Sequence, residues 1–452
     1  MKQRMDMLNG SLWDKIMLFA FPVAATAILE QLFNASDIAI VGNFSYTNKT
    51  IAVAAVGANS FIISLIVNSF VGIALGANVV IANAIGRMDH DAVSKAVRTS
   101  IVISLLAGIF VLLVGEIFSK SLLGSMNVPN EVFNEALLYL RIYLLGMPVI
   151  LLYNFEAAIF RSVGDTKTPL VVLTLSGIIN VLLNLFFVIV LHMSVNGVAI
   201  ATVCSNAISS ICLFLRLISS QDVIRVEIKK LKMDKEILIR ILKIGLPAGI
   251  QSAVFSLANI VIQSSINSLG TIVMAASSAA FNIEIFAYDI LNSFSQACTT
   301  FVGQNYGAGQ IKRCKSVLVL CLIEDVMITA LTTIIILFVG KNLISIFNND
   351  PEVIQTGYTR LLVVFSAYIF SVLYENISGY LRGFGISFVP AILTTIGVCG
   401  VRIFWVLFMF PLQRVFQWLL MAYPVSLAFT AFLLFIALMV YRPSRKKENS
   451  YE

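Results

Sequence analysis

Charge is what this chain has least of: Asp, Glu, Lys and Arg together make 12% of its 452 residues, against about a quarter in a soluble domain. Histidine is scarcer still, with two in the chain. The six cysteines (Cys204, Cys212, Cys298, Cys314, Cys321 and Cys399) include no C-x-x-C pair, so neither a disulfide framework nor a zinc site is implied. Neither H-E-x-x-H nor G-x-S-x-G occurs, and two isolated histidines offer an intramembrane hydrolase neither a base nor a metal ligand set. The chain reads as a non-enzyme that needs no cofactor.

What it has in excess is apolar sequence, at 59%. Twelve apolar stretches follow one another, near 15–42, 52–84, 96–118, 134–161, 168–192, 195–219, 241–268, 272–303, 314–340, 354–382, 388–411 and 415–441. Each exceeds the roughly 20 residues that a spanning helix needs. An all-α polytopic membrane protein with twelve transmembrane helices is expected. The first stretch is too long and too polar for a cleavable signal, so it counts as the first span.

The net charge of +7 invites a nucleic-acid reading, but the basic residues sort by loop: 24 of the 31 fall on one side of the twelve-span topology. By the positive-inside rule this places both termini in the cytoplasm of a multi-pass protein of the cell membrane. Membrane lipids are then the expected surroundings, with no nucleic-acid partner and a monomer as the working unit.

The chain also repeats itself. Tyr153, Arg161, Gly164 and Pro169 recur as Tyr374, Arg382, Gly385 and Pro390, all at an offset of 221 residues, and the segment ending at Gly86 recurs as that ending at Gly307. Pro22 and Asn34 match Pro247 and Asn259 after a shift of four. Since each half holds an even number of spans, the repeat is parallel about an axis along the membrane normal. Two six-helix lobes with a central cleft follow, residues 1–218 and 240–441, joined by a charged cytoplasmic linker, 219–239, and ending in a cytoplasmic tail, 442–452. Pro148, in mid-span, should kink the fourth helix and is a hinge candidate.

An ionisable side chain in hydrocarbon is expensive, so polar residues within spans point to sites. Glu30, Asn34 and Asp37 share a stripe of the first helix at i, i+4 and i+7, with Gln31 beside them. Counted from the outer span ends at about 1.5 Å per residue, Asp37, Asn180, Asn184 and Thr202 fall at depths that allow one pocket. One carboxylate, two amides and a hydroxyl make an all-oxygen set suited to a monovalent hard cation such as Na+. The plainer reading is that amides and hydroxyl hold helices together.

In the second half Glu284, roughly 18 Å deep by the same count, is a counter-charge for a cationic ligand, with Asp289 on another face of that helix. Gln31 and Asn34 complete the substrate set. Glu375 and Arg382, at i and i+7, suggest a gating or structural ion pair; Asn154 and Arg161 occupy the corresponding places in the first half. Glu30 and Glu156 are expected to be paired within their lobe.

With FRSVGDTKTP closing the fourth span, VGQNYGAGQ after the eighth and two six-span lobes, the chain resembles the multidrug and toxic compound extrusion (MATE) family over essentially its whole length. The resemblance implies a secondary antiporter that exports cationic and amphipathic drugs in exchange for inward Na+ or H+. It assigns ion coupling to Asp37, Asn180, Asn184 and Thr202, the family's acid, amide and threonine positions in the first, fifth and sixth spans. Asn184 stands where some relatives have aspartate, which weighs against a proton-sharing carboxylate pair. The glutamate that other relatives carry in the seventh span is missing, and Ile262 sits at the place matching Asp37, so coupling is expected in the first lobe alone. A flippase or exporter of lipid-linked cell-envelope precursors is the competing reading. It would want a cationic cleft for diphosphate, whereas most charges within the spans are acids.

Overall fold

A computed structural model describes residues 5–46, 48–126 and 128–443. Among them there are helices and connections but no strands. Lys2, Arg4 and Arg445 to Lys447, which contribute to the charge sorting, lie outside the described residues. The early helices are α1 (Trp13–Phe44), α2 (Lys49–Gly86), α3 (His90–Ser125), α4 (Asn130–Leu145), α5 (Met147–Ser162), α6 (Lys167–Leu185) and α7 (Val195–Ser219). Then come α8 (Lys235–Asn267), α9 (Thr271–Gly307), α10 (Ile311–Ser345), α11 (Pro351–Ser366), α12 (Tyr368–Gly383), α13 (Phe388–Thr394), α14 (Val401–Phe404), α15 (Phe416–Leu420) and α16 (Ala422–Tyr441). Ten continuous helical segments are long and apolar enough to span a membrane, and the bent pairs α4 with α5 and α11 with α12 bring the number to twelve. Large apolar side chains such as Ile117 and Phe338 point outward, exposed in the isolated chain. In hydrocarbon that surface is solvated, while the helices satisfy their own backbone groups.

The repeat is legible in the backbone. Helices α3, α4, α5, α6 and α7 begin at His90, Asn130, Met147, Lys167 and Val195, and α10, α11, α12, α13 and α15 begin 221 residues later in each case. The Arg-x-x-Gly-x-x-x-x-Pro element has a local cause. Gly164 and Gly385 take φ of 82° and 81°, the left-handed conformation that ends a helix at low cost in glycine. Their N–H groups donate to Arg161 O at 2.9 Å and Arg382 O at 2.8 Å, and the following residues donate to Phe160 O and Leu381 O at 3.0 Å. Pro169 and Pro390 then occupy the first turn of the next helix, where no N–H is needed. The element is a helix stop followed by a helix start.

The fourth span bends by 51° between α4 and α5, and Pro148 sits in the first turn after the break. Pro148 alone is not the cause. The tenth span bends by 47° at the corresponding place, where Ala367 precedes Tyr368 and Ile369 stands at the proline position. Both breaks close with i to i−3 bonds, Gly146 N to Tyr143 O at 2.9 Å and Ala367 N to Val364 O at 3.2 Å. In the first half packing adds to this: a Cβ on Gly108 of α3 would come within 2.4 Å of Pro148 Cα.

Two compact units result among the described residues, 25–245 as one and 6–24 together with 246–443 as the other. The exchange points fall beside Pro22 in α1 and Pro247 in α8, the pair matched by the shifted repeat. Each unit holds two apolar clusters. The segment 219–239 is packed onto the first unit. Ile224 and Val226 enter its core, Arg98 donates to Lys230 O at 3.0 Å, and Asp234 N donates to Thr99 Oγ1 at 3.0 Å.

Candidate functional site

On α1, Asp37 lies between Phe33, which packs on one apolar cluster of the first unit, and Ile40, which belongs to the other. It is 3% exposed. A carboxylate placed there keeps its charge only with partners. Asn184 Nδ2 donates to Oδ1 at 2.6 Å and Thr202 Oγ1 to Oδ2 at 2.9 Å. Asn184 gives its other N–H to Asn180 Oδ1 at 3.1 Å, and Asn180 Nδ2 reaches Ser205 Oγ at 3.4 Å.

Helical spacing places these groups. Asn180 and Asn184 are one turn apart on α6, and Thr202 and Ser205 share a face of α7. Immediately after Asn184 the helix widens into a π-turn, Phe186–Val190, a distortion common at functional sites. Close packing sets the approach of α1, since a Cβ on Gly177 of α6 would fall 1.7 Å from Phe33 Cζ. The structure thus brings Asp37, Asn180, Asn184 and Thr202 together.

All partners of Asp37 are neutral, and Asn184 Oδ1 is buried with no hydrogen-bond partner. An orphan acceptor beside a carboxylate surrounded by oxygen atoms is a donor set that fits a monovalent cation. Tyr139 of α4, buried and within electrostatic reach of Asp37, was not singled out from sequence.

The rest of the α1 stripe behaves differently. Glu30 and Asn34 are exposed and Gln31 is half-buried, so the shared face holds as geometry but only its Asp37 end enters the hydrogen-bonded core. Glu30 lies within electrostatic reach of Arg161. The expectation that Glu156 is charge-paired needs correcting: it is completely buried, takes a bond from Ser210 at 3.2 Å, and leaves Oε1 without a hydrogen bond.

Glu284 needs a larger correction. Arg360 of α11 grips it from two sides, Nε to Oε1 at 2.7 Å and Nη2 to Oε2 at 2.9 Å, with Arg360 1% exposed. Ser277 and Tyr423 accept the remaining guanidinium bonds, and the rings of Phe281 and Tyr423 lie 5.7 Å and 5.2 Å from the guanidinium carbon. Its charge is already compensated, so it is no free counter-charge for a cationic ligand. Asp289, half-buried on the same helix, takes no part in that pair.

Glu375 and Arg382 approach to 3.7 Å, and Tyr288 donates to Glu375 Oε1 at 2.8 Å. In the first half Asn154 replaces the acid and donates to Ile150 O at 2.9 Å, leaving Arg161 near Tyr153 and Glu30.

Fold and site together define a two-unit polytopic helical membrane protein with a cation-compatible carboxylate inside its first unit. The MatE family model matches residues 22–186 and 247–407, one match in each half. The chain belongs to the multidrug and toxic compound extrusion family. It is 26% identical over 402 residues to the probable multidrug resistance protein YoeA of Bacillus subtilis, covering 87% of this chain and 86% of that protein. To the probable multidrug resistance protein NorM of Thermotoga maritima it is 25% identical over 396 residues, covering 86% and 84%. A solved outward-facing conformation of a multidrug resistance MATE family transporter superposes with a TM-score of 0.88 at 20% identity, covering 98% of this chain and all of that one.

Proposed function

We propose that the protein is a multidrug efflux antiporter that exports cationic or amphipathic compounds in exchange for inward Na+ or H+, with Asp37 as the coupling carboxylate. One observation carries the reading: a buried aspartate held only by neutral donors, next to an amide oxygen that no described residue hydrogen-bonds. Its two relatives described as multidrug resistance proteins support the cargo class. In this reading Asp37, Asn180, Asn184 and Thr202 hold the arriving ion, which removes a charge from the hydrocarbon interior. The state that binds the ion better is then favoured, and alternating access follows from that difference in affinity.

One proton moving inward across about 100 mV and one pH unit supplies about 3.7 kcal/mol, enough for a gradient of roughly several hundredfold in a neutral drug; exchange for a singly charged drug is electroneutral and leaves about 1.4 kcal/mol, roughly tenfold. One ion per drug suffices. The protein works in the cell membrane with both termini cytoplasmic, as a monomer among lipids. Glu375 with Arg382, and the bend beside Pro148, are the places proposed to yield during the cycle.

The test is drug flux into liposomes holding purified protein under an imposed Na+ or H+ gradient. The native chain should follow one gradient, which names the ion, and Asp37→Asn should ignore both. Equal gradient-driven flux in the two would sink the coupling role.

A further inference from the structure

A second buried aspartate has the same company as Asp37. Asp325 of α10 is 0% exposed and meets no lysine or arginine among the described residues. Thr329, one turn on, donates to Oδ1 at 3.0 Å, and Asn376 of α12 donates from Nδ2 to Oδ2 at 2.6 Å. Asn376 gives its other N–H to Val372 O at 3.0 Å, and its Oδ1, in a side chain 0% exposed, has no hydrogen-bond partner. Around Asp37 the same account holds group for group. Asn184 donates at 2.6 Å, passes its second N–H to another acceptor and keeps an orphan Oδ1, while a threonine serves the other carboxylate oxygen at 2.9 Å.

The two places are not repeat mates. At the offset of 221, Ser104 answers to Asp325 and Phe155 to Asn376. The likeness is one of chemistry, assembled twice on different helices. Its titratable neighbours are acids and cysteines. Glu375 on α12 is held by Tyr288 and Arg382, and Cys321 on α10 stands near, with Cys298 of α9 beside it. Glu324, beside Asp325 in the chain, is buried with neither carboxylate oxygen hydrogen-bonded. Among the described residues nothing positive compensates Asp325. A monovalent cation is the ligand that would use a carboxylate, a threonine oxygen and an orphan amide oxygen together.

We propose that Asp325, Thr329 and Asn376 form a second monovalent-cation site, in the second unit and separate from Asp37. Its chemistry rests on the reading of the Asp37 site, and a Na+ ion or a proton would satisfy it. The test uses full-length protein in lipid nanodiscs, with equilibrium binding of radiolabelled Na+ and, for the proton, infrared difference spectra of titrating carboxyl groups after a pH jump. In Na+ binding Asp37→Asn should keep about half of the native signal, Asp325→Asn the other half, and the double variant none; in the infrared arm each single variant should remove one carboxyl band from the native spectrum, and the double variant both. Loss of Na+ binding in Asp325→Asn names sodium, and loss of an infrared band without any change in Na+ binding names the proton.

If Asp37→Asn and the double variant give the same residual signal in both arms, the second site is overturned. If Asp325→Asn alone removes everything, the second site stands and the Asp37 reading fails. Asn376→Ala keeps the carboxylate and guards against loss of folding in Asp325→Asn. With Asp37→Asn as background, it should weaken the remaining cation affinity about tenfold, and unchanged affinity would also overturn the site.

Discussion

Asp37 and Glu284 are both acids buried in the spans of a MATE-family chain, yet their surroundings prepare them for opposite tasks. Glu284 is locked in a two-bond ion pair with Arg360, within reach of two aromatic rings and a serine. Asp37 has an amide, a hydroxyl and no cation. A guanidinium supplies a permanent charge, so the pair is closed and structural; neutral donors orient a carboxylate without cancelling it, and the balancing charge has to come from outside. On the proposed reading, a coupling carboxylate is distinguished from a structural one by the neutrality of its partners more than by its depth or burial.

The widest separation between the two acids should appear in stability. Arg360→Met leaves Glu284 buried and alone, at an expected cost of about 3–5 kcal/mol, read as a fall in thermal unfolding temperature in detergent. Exchanging both partners, Arg360→Met with Glu284→Gln, should recover most of it, and failure to recover would mean that the pair is more than a closed unit. Asp37→Asn should do the reverse: unfold at the native temperature or above, while losing gradient-driven drug accumulation, roughly tenfold for a singly charged drug and several hundredfold for a neutral one. A drop in stability like that of Arg360→Met would erase the contrast.

Smaller changes probe how α1 is held. Gly177→Ala thrusts a methyl group into Phe33, which should cost about 1–3 kcal/mol of stability and raise the half-saturating ion concentration by displacing Asp37. Gly57→Ala, with nothing within 4 Å of its Cβ, is the control and should change neither. The mildest is Thr202→Val, which removes one hydrogen bond to Asp37 and should shift half-saturation by about fivefold, near 1 kcal/mol, leaving the cargo profile alone. A shift in cargo without a shift in ion dependence would reassign Thr202.

Much of the architecture could be read in advance because it depends on local rules. Span number follows from apolar length, and Gly164 and Gly385 stop their helices through a conformation that their lack of a side chain permits. The i, i+4 pairing of Asn180 with Asn184 is fixed by helical pitch. Other features escaped because they depend on distant neighbours. Nothing within the tenth span, which has no proline at its bend, announces a 47° break. Ile224 and Val226 sit in a charged segment whose composition suggests a solvated linker, but their place in the core is decided by α3, α7 and α8. Glu30 and Asp37 share a face and differ in exposure, because neighbouring helices cover only one end of it.

By itself the sequence determined that this chain spans a membrane twelve times in two related halves and that Asp37 is a carboxylate costly enough to need a purpose. These are properties of length, periodicity and solvation, which each residue carries into any fold. Only the tertiary structure decided which acids are already neutralised. Arg360 is 76 residues from Glu284, and Asn376 is 51 from Asp325. Hydrogen bonds act over about 3 Å, so whether a buried charge has a partner is set by helix packing, and no spacing along the chain reports it.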